Sequence, residues 1–199
     1  MSGGDRESLR VALLYHSYGS PPVPGTPRVV RELAIALRDA GHRPFVLSSR
    51  PGRTRRSLEE DIRVVRSGRL PEAPLRWRGF VGPVTHLPLA ALALVREPYD
   101  VAQAFSPADT LAALLARRTT GKPALFTCAE TLDREGLADR RLRLWLLTRA
   151  VEDTDAVTSP TEKARVALQR WLAVEPALIE PGDAPAHERL YRRLLNRRS

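Results

Sequence analysis

The chain has 199 residues, with 32 Lys and Arg against 23 Asp and Glu, one cysteine and 43% hydrophobic residues. That length builds one sizeable core but not two full α/β domains, and the apolar content excludes an intrinsically disordered chain. Cys128 alone cannot form an internal disulfide, and the opening MSGGDRESLR lacks the basic-then-apolar layout of a signal peptide. The longest apolar stretch, Val84 to Val95, is interrupted by His86 and Pro88 and falls short of a membrane span. A cytoplasmic location is expected.

The net charge of +9 is unevenly placed. Residues 50–78 hold nine Arg and four acids, and residues 187–199 hold five Arg and one acid, so these two segments carry the entire excess. The rest of the chain is balanced. Such a neutral body with two basic zones fits an anionic lipid surface. Nucleic acid is not an expected partner, because few aromatics interleave the arginines and no binding motif accompanies them.

Along the chain, residues 10–15 form an apolar run of the kind buried on both faces of a parallel sheet. After a loop over residues 17–25, Val30, Leu33, Ala34 and Leu37 recur at helical spacing, Gly41-His42 closes the helix, and residues 44–49 supply the next strand. Further strands are predicted over 62–66, 100–105, 123–127, 155–159 and 176–180, with helices near 84–96, 107–118, 137–151 and 160–172. Segment 50–82, rich in Pro and Gly, reads as loop. Strands alternating with helices of this length predict a single Rossmann-like α/β domain, doubly wound and mainly parallel, with helices on both faces.

In such a sheet the binding crevice lies outside the carboxyl ends of the strands. Three pairs there, Thr26-Pro27, Ser106-Pro107 and Ser159-Pro160, place a hydroxyl at an N-cap and Pro at the first helical position. Asp109 and Glu162 complete capping boxes behind Ser106 and Ser159, whereas Val29 stands at the equivalent place behind Thr26. Gly25 and Thr26 therefore form the best phosphate-binding candidate, a helix N-terminus approached by a glycine. His16, His42, His86 and His187 are scattered without metal-ligand spacing, so no metal site is expected. His16, at the end of the first strand, is placed to line the crevice. No nucleophile elbow, Walker A sequence or full G-x-G-x-x-G occurs, and no resident cofactor is expected.

The ordered series of segments resembles a known family. Arg10–Ser49, Asp100–Pro107, Ala116–Pro123, Asp155–Pro160 and Ile179–Gly182 are similar to the successive strand motifs of the amino-terminal half of family-4-type GT-B glycosyltransferases. The resemblance implies an acceptor-side domain over 9–183, preceded by a flexible tail, 1–8. In the family a second domain with a Glu-x7-Glu motif holds the nucleotide-sugar, which is a substrate and not a cofactor. Here residues 184–199 resemble instead the final helix that crosses back onto the first domain, with Leu190, Tyr191, Leu194 and Leu195 as its apolar stripe. The spacing of Glu180 and Glu188 matches the motif only by chance, since Pro181, Gly182 and Pro185 interrupt it.

The resemblance further implies that a partner glycosyltransferase subunit supplies the donor site, with Gly25 and Thr26 facing donor phosphates. Ser17, Glu130 and the arginine-rich loop Arg50, Arg53, Arg55 and Arg56 would face the acceptor, with Ser106, Thr127 and Ser159 along the crevice. Glu130 is the carboxylate suited to accept a hydroxyl proton. Gln103, Phe105 and Ala129 stand where family members often carry His. The alternative is an inactive module that binds a partner, a phosphorylated sugar or an anionic membrane.

Overall fold

The computed structural model describes residues 7–19, 25–69, 86–130 and 141–198. In chain order these form β1 (Arg10–Leu14), α1 (Thr26–Asp39), β2 (Arg43–Pro51), β3 (Arg55–Glu59), β4 (Ile62–Arg69), α2 (Leu87–Arg96) and β5 (Val101–Ala104). There follow α3 (Pro107–Thr120), β6 (Ala124–Thr127), α4 (Arg141–Glu152), β7 (Ala156–Ser159), α5 (Glu162–Leu172), β8 (Ala177–Leu178) and α6 (Ala184–Asn196). The strands make one sheet in the order β3-β4-β2-β1-β5-β6-β7-β8. Every pairing is parallel except β3 with β4.

The apolar runs explain why the strands are buried on both faces. In β1, Val11 and Leu13 enter one core with Val30, Leu33 and Leu37 of α1 and with Tyr191 and Leu194 of α6. Ala12 and Leu14, pointing the other way, enter a second core with Leu94 of α2 and Ala112 and Ala113 of α3. A smaller third core gathers Phe126, Cys128, Leu147, Ala150 and Leu168. Tyr191 extends from α6 to the middle of the sheet, where its hydroxyl donates to Gln103 Oε1. Gln103 Nε2 then donates to Thr127 Oγ1, which lies 2.8 Å from Thr158 Oγ1, so a polar chain is satisfied inside an otherwise apolar layer.

Three local expectations need correction. Segment 50–69 is not a loop: β2 runs on to Pro51, and β3 and β4 form an antiparallel pair joined at Glu60 and Asp61, both with positive φ. The rest of the segment, 70–82, lies outside the described residues. At α1 the N-cap is Gly25, with φ 97°, and not Thr26, which is already helical. At α5 the cap is Thr161, whose hydroxyl accepts from Ala164 N, so the helix starts two residues beyond the position read from Ser159-Pro160.

Candidate functional site at the switch point

β1 lies between β2, reached through α1 on one face, and β5, which carries the chain to α3 on the opposite face. The crevice of a doubly wound sheet opens at this reversal. Two segments meet there: the turn after β1 and the β5–α3 junction.

The turn after β1 is tied down by its neighbours. Tyr15 N donates to Leu47 O and Phe105 N to Leu14 O. The His16 carbonyl accepts from Ser48 Oγ at 3.1 Å, Ser49 Oγ at 3.0 Å and Ser49 N at 3.2 Å. The His16 N–H donates to Asp109 Oδ2 at 3.0 Å. The backbone of His16 is thus held from both sides.

Asp109 sits in the first turn of α3. Ser106 caps that helix as expected, accepting from Asp109 N, but the carboxylate does not reach back to complete a capping box. It turns instead toward two histidines. His16 Nδ1 lies 2.9 Å from Oδ2, and His86 Nε2 lies 2.9 Å from Oδ1. Ser106 Oγ donates to Oδ2 at 2.6 Å. The imidazole rings stack with centroids 5.4 Å apart. Asp109 and His86 are buried, while the His16 side chain keeps 21% of its surface exposed.

Burial, the largest influence on Asp109, opposes its ionisation, but the hydrogen bonds from His16 and His86 and their charge outweigh it and hold the carboxyl well below the usual range. The two histidines, separated by 70 positions, are brought together only by the fold. Their sequence signal is limited to the place of His16 at a strand end, and Asp109 carries only the mark of a helix cap.

The other predicted residues fall into two groups. Close to the cluster, Tyr15 has its hydroxyl pKa raised by burial first and then by the charges of Glu130 and Asp109, with the Thr26 side chain opposing, so these four residues share one neighbourhood. Glu130 is exposed and its carbonyl accepts from Cys128 Sγ; burial, then the Glu130 charge, push that thiol up to about 12. Ser17 is exposed in the turn and Ser106 is buried at its cap. At α1, Pro27 has no N–H and the N–H groups of Arg28 and Val29 both go to the Gly25 carbonyl, leaving Thr26 N–H as the first-turn donor not spent on the helix.

The second group lies on β2, β3, β6 and β7 and in the turn after β2. Thr127 and Ser159 are buried, Thr127 within the polar chain to Tyr191 and Ser159 donating to Thr161 O. Arg50 belongs to β2, Arg53 to the turn that follows, and Arg55 and Arg56 to β3. Arg56 bonds the buried Glu97, which also holds Arg63 at 2.7 Å. Glu97 precedes β5, at the amino ends of the strands, so Arg56 is drawn away from the crevice.

Comparison with known proteins agrees with this architecture. The model of Glycosyltransferase Family 4 matches residues 23–182. A sucrose-phosphate synthase structure from Thermosynechococcus elongatus aligns with TM-score 0.63 and 17% identity over 93% of this chain and 98% of that one. A second structure of that synthase aligns with TM-score 0.62 and 18% identity over 86% of this chain and 48% of its own. Anabaena Alr3699/HepE in complex with UDP and glucose aligns with TM-score 0.57 and 16% identity over 86% of this chain and 44% of that one. The chain therefore spans about half the length of the longer relatives, and it shares their fold. Curated proteins gave no match. With most of its residues covered by the family model and its doubly wound sheet shared with GT-B glycosyltransferases, the chain belongs to Glycosyltransferase Family 4.

Proposed function

We propose that this chain is the acceptor-binding half of a glycosyl-transfer catalyst, and that a partner chain supplies the site for the nucleotide-sugar. The observation that carries the reading is the switch-point crevice, where Tyr15, His16, Ser106, Asp109 and Glu130 gather on a fold shared with glycosyltransferases. The likeness extends over 98% of one synthase chain and 48% of a longer one. In this reading Gly25 and Thr26 meet the donor phosphates, His16, Ser17, Ser106, Arg50 and Arg53 line the acceptor side, and Glu130 accepts a proton from the acceptor hydroxyl. Affinity purification from the native cell tests it. Recovery of a second chain able to bind a nucleotide-sugar supports the reading, and recovery of the chain without one refutes it.

A second reading rests on α4. Leu142, Leu144 and Trp145 are exposed there, Trp145 at 51%, and exposed Arg141, Trp145 and Arg149 follow one another at helical spacing. An exposed Trp and Leu between arginines suits the headgroup level of an anionic membrane. Among the described residues no helix is long and apolar enough to cross a membrane. Flotation with phosphatidylglycerol vesicles should fall at least several-fold in a Trp145→Ser, Arg149→Ser variant; equal flotation rejects it.

A further inference from the structure

We propose that His16, His86 and Asp109 form a binding site for a divalent transition-metal ion of the zinc class. The three side chains come from the β1 turn, the residue preceding α2, and α3. Each offers one ligand atom, and these atoms all lie within 4.8 Å of one another. Two imidazole nitrogens and a carboxylate oxygen are the donor set that suits zinc, cobalt or nickel, in contrast to the all-oxygen shells of magnesium and calcium.

The distances fit. Each imidazole nitrogen stands 2.9 Å from an oxygen of Asp109. Two ligand atoms at about 2.0–2.1 Å from a shared ion subtend such a separation at roughly a right angle, and an opening of a few tenths of an ångström reaches the tetrahedral value. The remaining side, between the two nitrogens, closes by a rotation of the His16 ring, the exposed member of the three.

The surroundings fit too. Ser106 Oγ and His16 N–H both hold Asp109 Oδ2 and so fix the carboxylate from behind, as outer-sphere partners do in metal sites. The His16 side chain is the member of the three that reaches the surface, with 21% of its area exposed. The ion would replace the two imidazole–carboxylate hydrogen bonds, with both rings neutral and the proton of each on its other nitrogen. Burying a carboxylate and two imidazoles together is costly compared with an apolar junction of similar volume. That cost is intelligible where the groups have a ligand to hold.

The test is titration of the whole chain, purified without a histidine tag and stripped with chelator, with cobalt(II) followed by visible absorption, then displacement by zinc. The expected result is a single equivalent of cobalt with the ligand-field bands of low coordination number, lost on adding one equivalent of zinc. His86→Gln and Asp109→Asn should each weaken binding by at least tenfold, while Glu130→Gln leaves it unchanged. Circular dichroism of each variant separates lost ligation from lost folding. Absence of stoichiometric cobalt binding in the wild type overturns the proposal, and so does binding that survives both His86→Gln and His16→Gln in folded protein. Either outcome would leave the three side chains as a hydrogen-bonded junction. Nothing in the titration depends on sugar binding, so its failure and that of the glycosyl-transfer reading are separable.

Discussion

A carboxylate removed from water stays ionised only where donors replace the solvent it has lost. At Asp109 the replacement comes from two imidazoles, a hydroxyl and a backbone N–H. Asp109→Asn keeps the shape but turns an amide toward groups that were donating, and should lower stability by about 3 kcal/mol, read as a fall in the urea midpoint. A loss below about 1 kcal/mol would mean that the cluster contributes little to folding. The sign with pH follows from the depressed carboxyl: its contribution is complete above the unfolded-state value of 3.8 and is lost as pH falls below it.

His187 loses its contribution in the same direction of pH, but through burial and not through partners. It is buried in α6 beside Tyr191, and burial lowers its pKa from 6.5 to about 4. The unfolded chain binds the proton more readily, so stability is complete above pH 6.5 and declines as pH falls toward 4, by about 3 kcal/mol across that window. Urea unfolding at pH 7 and pH 4.5 measures it. His187→Leu should flatten the slope between these values, and an unchanged slope would assign it to another group.

Among the elements, α6 shows most plainly how a helix is attached. Its Tyr191 and Leu194 are buried in the same core as α1, and the Tyr191 hydroxyl satisfies Gln103. Tyr191→Phe leaves the Gln103 carbonyl without its donor and should cost about 1–3 kcal/mol in chemical denaturation; no measurable loss would show that this hydrogen bond contributes nothing net. At the other side of the sheet, a Cβ on Gly68 would meet the Gly52 carbonyl oxygen at 2.5 Å. Gly68→Ala should therefore destabilise by about 1–3 kcal/mol, visible as a lower melting temperature; a variant as stable as the parent would show that the Gly52 turn gives way freely.

The legibility of these elements varies for physical reasons. β1 and α1 can be read because apolar spacing alone dictates them. β3 cannot, since Arg55-Arg-Ser-Leu-Glu59 has no apolar alternation and becomes a strand only by pairing with β4 at the sheet edge, where Leu58 is left 68% exposed. Helix starts slip by one or two residues because adjacent hydroxyls and glycines compete for the cap, as Gly25 does with Thr26 and Thr161 with Ser159.

At the level of the whole molecule, a doubly wound and mainly parallel sheet is legible in the βα alternation, yet the site is not. Ser106 and Asp109 look like a helix cap and His16 and His86 like isolated histidines, until a parallel sheet places the ends of β1 and β5 side by side. The charge reading changes in a similar way. Arg56 and Arg63 are taken up by Glu97 and Arg198 by Asp155, acids outside the two basic segments, so these arginines are not free charge.

In the division of labour proposed above, this chain holds the acceptor and another chain holds the donor. Equilibrium binding of radiolabelled nucleoside-diphosphate hexoses to the chain alone, and to the complex purified from its native cell, tests that claim most directly. Saturable binding by the complex is expected, with binding at least tenfold weaker by the chain alone. Equal affinity in the two preparations, or no binding in either, would contradict it.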